Sequence, residues 1–264
     1  MIVQILISFL TQVALTIGII ILFGYLIAIC NSRFYANFGA KSTIVCYMTG
    51  FIGTPVHEFS HALMCVIFGH KINEIKLFQI NSSDGTLGYV NHSYNPRNIY
   101  QSIGTFFIGV APILIISTLL YLLLYLLLPE LTESIKDCIT EINFTLGFKG
   151  VFIVFKTMFE QIIASLDNYK LWIFILISTN LSLHMTLSGA DINSAKKGLV
   201  IIVVLMLIVN IILGLISSVL LNTYTSIIIG LSTYLILFLS LGLISAMVAL
   251  IVSYIFKYII GKKL

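Results

Sequence analysis

Charge is what this chain has least of. Only 9% of its 264 residues are Asp, Glu, Lys or Arg, while 59% are hydrophobic. A soluble domain of this length needs far more charge to cover its surface, so the composition excludes water as the sole solvent and points to lipid. Proline is scarce as well, with 4 residues, and no polar linker divides the sequence. One integral membrane domain over residues 1–264 is therefore expected. The 4 cysteines, Cys30, Cys46, Cys65 and Cys138, are scattered without disulfide or metal spacing, and each reads as a small buried apolar residue. Basic runs stop at pairs (Lys196-Lys197, Lys262-Lys263), which argues against nucleic acid and suits anchors at a membrane edge.

What fills the chain instead is a series of apolar stretches of about 20 residues or more, the length a membrane span needs. They lie at Ile5–Cys30, Ser42–Gly69, Ile99–Leu128, Lys170–Asn193, Leu199–Leu221 and Ser226–Phe256. The first is too long for a cleavable signal, lacks a basic start and shows no small-x-small cleavage site. The fold class expected is mostly α: a polytopic membrane helix bundle of about six spans. Two connections add to it. Ile72–Ile80, Asp84-Gly85 and Thr86–Tyr94 read as strand, turn and strand, a small β-hairpin after the second span. Phe144–Leu166 places Phe148, Val151, Phe152, Phe155, Phe159, Ile162 and Leu166 at helical spacing, an amphipathic interfacial helix before the fourth span.

Basic residues set the expected orientation. With the N-terminus inside, Lys71, Lys76, Arg97, Lys196, Lys197, Lys257, Lys262 and Lys263 fall on the cytoplasmic side. Arg33, Lys41, Lys136, Lys149, Lys156 and Lys170 fall outside or in the long third connection. The expectation is a multi-pass protein of the cell membrane. An abundance of Ile, Lys, Asn, Phe and Tyr suits an AT-rich bacterial genome.

Chemistry concentrates in Thr54-Pro55-Val56-His57-Glu58-Phe59-Ser60-His61. Two His four apart on a helix share one face, about one turn apart, which suits two imidazoles on one Zn²⁺. The intervening Glu58 cannot easily join the same coordination sphere, but it can hydrogen-bond a zinc-bound water and take its proton. Each ionisable group in an apolar span costs at least a few kcal/mol unless paired or hydrated, so three at metal-site spacing are hard to explain as packing. Gly50, Gly53 and Pro55 predict a broken span, with one segment ending near Phe51 and a new helix starting at Thr54-Pro55 to carry the ligands.

A catalytic zinc takes a third protein ligand and leaves a position for water. Asp191 is the preferred candidate, at the end of the fourth span, with His184 and Ser188 on the same helical face. The alternative is that His184 ligates and Asp191 is a solvated helix end beside Lys196 and Lys197. One Zn²⁺ per chain is expected. His70 and His92, around the hairpin, read as interfacial polar residues. Asn180 reads as a substrate contact or as glue between helices.

At these residues the chain resembles the site-2 protease family of intramembrane zinc metalloproteases. The resemblance covers the second to fourth spans: His57-Glu58-x-x-His61, a hairpin behind it, and an Asp near the end of a later span, a catalytic core of about residues 42–198. It implies that His57, His61 and Asp191 bind zinc and that Glu58 activates water to cut a substrate's transmembrane helix. The family's usual Asn-Pro-x-x-Asp-Gly is absent, since Ile192 follows Asp191 and Asn95-Pro96 lies elsewhere, as in a divergent bacterial member. The expected partners are a transmembrane or membrane-associated peptide and the lipid bilayer. An edge formed by Leu87, Gly88, Tyr89, Val90 and Asn91 is expected to hold the peptide extended, because an intact helix keeps its carbonyls bonded internally.

Three other readings compete. A membrane zincin of the prenylated-protein protease type needs a Glu as third ligand, and Glu160 is its one candidate. A non-catalytic pseudoprotease or membrane scaffold predicts a damaged motif, yet His57, Glu58 and His61 are intact. A transporter wants polar residues across several spans, and the last two are nearly free of them.

Overall fold

The computed structural model describes residues 1–80, 85–141 and 147–261. Helices α1 (Ile2–Val13) and α2 (Ile19–Ala36) join through one π-helical turn at Ala14–Gly18. Helix α3 (Ser42–Ile67) carries the His-Glu motif and leads into strands β1 (Lys71–Lys76) and β2 (Tyr89–Ser93). Six helices follow: α4 (Ile99–Leu127), α5 (Pro129–Glu141), α6 (Gly147–Ala164), α7 (Tyr169–Leu183), α8 (Gly189–Ile216) and α9 (Ser218–Gly261). Among the described residues, four helical stretches rather than the expected six, Ile2–Ala36, Ile99–Leu127, Gly189–Ile216 and Ser218–Ile259, are long and apolar enough to cross a membrane; α3 is not among them, and α7 is a shorter apolar helix. The outer faces of the four stretches show Leu10, Ile21, Val200, Ile212, Leu215 and Ile251. Such a surface is normal against lipid and costly against water.

Helix α4 is the centre of the bundle. Ala111, Ile116 and Leu120 are wholly buried, and α4 packs on α3, α7, α8 and α9. Its contact with α8 brings backbone against backbone. A Cβ added at Gly109 would stand 2.5 Å from the Asp191 carbonyl oxygen, and one at Gly198 2.5 Å from the Phe106 nitrogen. Small residues permit such close approach where no hydrophobic force separates helix from lipid. Asp191 is thereby pressed to the flank of α4.

Two expected boundaries are corrected. Lys170–Asn193 is not one span: α7 stops at Leu183, His184 leaves helical geometry, and α8 starts after Ser188. His184, Ser188 and Asp191 therefore share no helical face. Ser188 is an N-cap, so Asp191 opens α8 rather than ending the fourth span. The sequence signal was Ser188-Gly-Ala-Asp191, a serine three residues before an acid, which is a helix start. The expected break near Phe51 is also absent: α3 runs unbroken through Pro55. Packing of α3 on α4 and α7 offsets the cost of a proline inside a helix.

The hairpin forms with Lys71 opposite Ser93 and Lys76 opposite Tyr89, with a bulge between Ile72 and Glu74. Beyond the ladder, Gln79 N–H donates to the Leu87 carbonyl at 2.7 Å. Gly85 has φ +75°, as a tight turn requires, whereas Asp84 of the expected Asp-Gly turn lies outside the described residues. The expected amphipathic segment 144–166 forms a helix over Gly147–Ala164, its first residues lying outside the described set. Phe152 and Phe159 are exposed, and Lys156 pairs with Glu160 at 3.7 Å.

Candidate metal centre

His57 and His61 stand one turn apart on α3, and their Nε2 atoms are 3.1 Å from each other. The other nitrogen of each ring decides what that distance means. His57 Nδ1 lies 2.7 Å from the His184 carbonyl oxygen, and His61 Nδ1 lies 2.7 Å from the Ile108 carbonyl oxygen. A carbonyl only accepts, so each Nδ1 carries the proton and each neutral ring presents a bare lone pair at Nε2.

Asp191 completes the group. Its Oδ1 is 3.2 Å from His61 Nε2 and its Oδ2 is 3.9 Å from His57 Nε2. A reciprocal cap fixes the carboxylate: Ser188 N–H donates to Asp191 Oδ2 at 2.7 Å, and Asp191 N–H donates to Ser188 Oγ at 3.2 Å. Two lone pairs and a carboxylate oxygen thus converge. Ligand atoms at ~2.0–2.1 Å from a tetrahedral zinc lie about 3.3 Å apart, close to these spacings. One proton bridges one such contact, whereas a divalent cation satisfies all three atoms. The Nδ1–carbonyl bonds are the outer partners that fix tautomer and orientation for a ligating imidazole. The donor set fits zinc.

The His184 side chain takes no part in this convergence. Its Nε2 is 3.1 Å from Thr49 Oγ1, and its Nδ1 is 3.4 Å from Thr54 Oγ1. The main-chain oxygen of His184 is what holds His57. Gly53 makes room for the ring, since a Cβ there would overlap it. Gly53 and Thr54, placed by their sequence at a break in the helix, instead join Thr49 in forming the seat of His184.

Glu58 is buried, 7% exposed, and follows His57 directly along α3. Gly88 covers it: a Cβ at Gly88 would stand 2.8 Å from Glu58 Cγ and 2.8 Å from the Lys76 carbonyl oxygen. Of the expected substrate-holding residues, Tyr89, Val90 and Asn91 lie in β2, and Leu87 and Gly88 lie just before it. Leu87 reaches back over Gly50, and Tyr89 donates its hydroxyl to Glu74 at 2.6 Å. Asn180, on α7, has a buried Oδ1 with no hydrogen-bond partner among the described residues. Glu160 is well exposed and paired with Lys156, away from the convergence of His57, His61 and Asp191.

One grouping escaped the sequence. Cys65, His70 and His92 bring ligand atoms within 4.8 Å of one another, although each alone has the sequence setting of an apolar filler or an interfacial residue. The usable signal was that Cys65 continues the His57–His61 spacing by another four residues along one helix face. Burial holds His92 below the ordinary imidazole value, and repulsion from His70 and His61 adds to it. Compared with known proteins, the chain matches no protein-family model, no curated protein and no solved structure.

Proposed function

We propose that this chain is an intramembrane zinc metalloprotease of the site-2 type, hydrolysing peptide bonds in or near transmembrane segments of membrane proteins or peptides. One observation carries the reading: His57 and His61 both spend Nδ1–H on backbone carbonyls and turn bare Nε2 atoms toward each other and toward Asp191. A packing role does not need that tautomer pair. A cation site does.

In this reading His57, His61 and Asp191 hold the metal, with His184 acting through its carbonyl rather than its ring. A zinc ion in that place supplies Lewis acidity toward a peptide carbonyl and acidifies water beside it. Glu58 adjoins the ligands without belonging to them, which suits a general base. Its carboxylate takes the proton from the attacking water, and then gives it to the amine nitrogen as the peptide bond breaks. One edge of β2 is used by β1. The other edge offers backbone donors and acceptors to an extended peptide, with Gly88 bringing that strand against Glu58. Asn180 Oδ1, without a hydrogen-bond partner among the described residues, is a further acceptor for substrate. Helix α3 is read as lying within the membrane, and the basic-residue bias puts the zinc-side ends toward the cytoplasm.

The test separates metal from base. Glu58→Gln removes the base and no ligand, so purified protein should keep its zinc. Cleavage products in the membrane proteome, read by terminal-peptide mass spectrometry, should fall by about 10²–10⁴-fold in rate. His57→Ala and His61→Ala should lose zinc and products together. Near-normal product formation by Glu58→Gln would overturn the proposal.

A further inference from the structure

We infer that Cys65, His70 and His92 form a second divalent-metal site that ties the hairpin to α3 and α4. His70 and His92 approach with Nδ1 atoms 3.1 Å apart, and Cys65 Sγ lies within 4.8 Å of one ring nitrogen of each. The far side of His70 is fixed, with its Nε2 2.7 Å from the Gln101 carbonyl oxygen. That nitrogen carries the proton, so the neutral ring turns a bare Nδ1 toward His92. Tyr94 stacks on the same ring, with centroids 4.8 Å apart and planes within 12°. A hydrogen bond from His92 accounts for the nitrogen pair but not for a wholly buried thiol converging on the same point.

The donor set chooses the ion. One thiolate and two imidazoles suit zinc and exclude calcium and magnesium, which require oxygen. Binding breaks the Cys65 S–H bond and forms a sulfur–metal bond, and the proton passes to solvent. Beside the group lies a shallow cavity of about 370 Å³, lined by Gly69, Lys71, Ser93, Tyr94, Asn95 and Gln101, among them the chain neighbours of His70 and His92. Placement defines the role. Cys65 sits in the last turn of α3, His70 just before β1, His92 within β2, and Gln101 in the first turn of α4. One ion there clips both strands to the helix that bears Glu58, and so fixes the height of Gly88 above that carboxylate.

The site can be read without any assay of cleavage. Full-length, metal-stripped protein in detergent is titrated with Co²⁺ alone. Two equivalents should bind, with a sulfur-to-cobalt charge-transfer absorption in the near ultraviolet. The His57→Ala/His61→Ala double variant should bind one equivalent and keep that absorption. Cys65→Ser should bind one equivalent without it, and His92→Ala should weaken the same band. A single equivalent without sulfur absorption in the unmodified chain, or two equivalents with none, would overturn the second site. So would loss of the sulfur band in the His57→Ala/His61→Ala variant, whereas a single equivalent that carries the band in the unmodified chain would overturn the His57–His61–Asp191 site instead.

Discussion

Gly88 lies so close to Glu58 that a side chain at position 88 would displace the carboxylate or the strand. A Cβ would meet Glu58 Cγ at 2.8 Å, the Lys76 carbonyl oxygen at 2.8 Å and the Leu77 carbonyl oxygen at 3.0 Å. Two of those three neighbours are backbone, so the strain cannot be relieved by one flexible side chain. The hairpin and the candidate base are therefore mechanically linked.

Gly88→Ala tests that link. The substitution leaves His57, His61 and Asp191 untouched, so zinc content should be normal. A displacement near 1 Å at the reacting groups costs on the order of 10²-fold in rate. Product formation should fall by about that factor, as scored by the same mass-spectrometric comparison used for Glu58→Gln. Unchanged product formation would make the hairpin a cap with no part in cleavage.

The His-Glu motif and the hairpin were legible because both depend on local signals: spacing on one helix, and strand formers around a glycine turn. The place of Asp191 was legible only as a candidate. Hydropathy runs through Leu183–Ser188 without a charge, so counting apolar residues fused α7 to the start of α8. The chain in fact leaves the helix at His184, where a carbonyl freed from the helix ladder becomes the partner of His57. A residue that acts through its main chain leaves no mark in its side-chain identity. Pro55 misled for a related reason, because its surroundings, not its own preference, decide whether a helix continues.

Asp191 has two duties that substitution can separate. As the third residue of α8 it closes a reciprocal cap with Ser188, and its other oxygen faces His61. Asp191→Asn keeps an acceptor for Ser188 N–H but removes the charge, so the helix start should survive while zinc occupancy falls. Asp191→Ala removes both, and should add about 1 kcal/mol of lost capping to the lost metal. His184→Ala removes a ring that faces Thr49 and Thr54 and leaves the main-chain oxygen in place, so zinc should stay bound. Zinc content of the three purified variants, with their thermal midpoints, decides the matter. Full occupancy in Asp191→Asn would limit the aspartate to a cap.

Gln12 and Asn210 form a buried reciprocal amide pair where sequence reading found little polarity. Asn210 Nδ2 donates to Gln12 Oε1 at 2.8 Å, and Gln12 Nε2 donates to Asn210 Oδ1 at 3.1 Å and to Thr225 Oγ1 at 3.0 Å. Both residues are wholly buried, and the three side chains join α1, α8 and α9 far from the metal centre. Apolar burial favours helix association little when lipid is the competing solvent, so such bonds do more of the joining. Removing one partner leaves the other amide buried and unsatisfied, which costs more than the bond itself was worth. Asn210→Leu or Gln12→Met alone should therefore destabilise the protein by about 1–2 kcal/mol. The Gln12→Met/Asn210→Leu double variant replaces both amides by apolar groups of similar size, and should cost less than the sum of the singles. Unfolding in mixed micelles measures all three, with zinc content as the control for the distant site. Additive losses would mean that the two amides find other partners and that the pair does not fasten these helices.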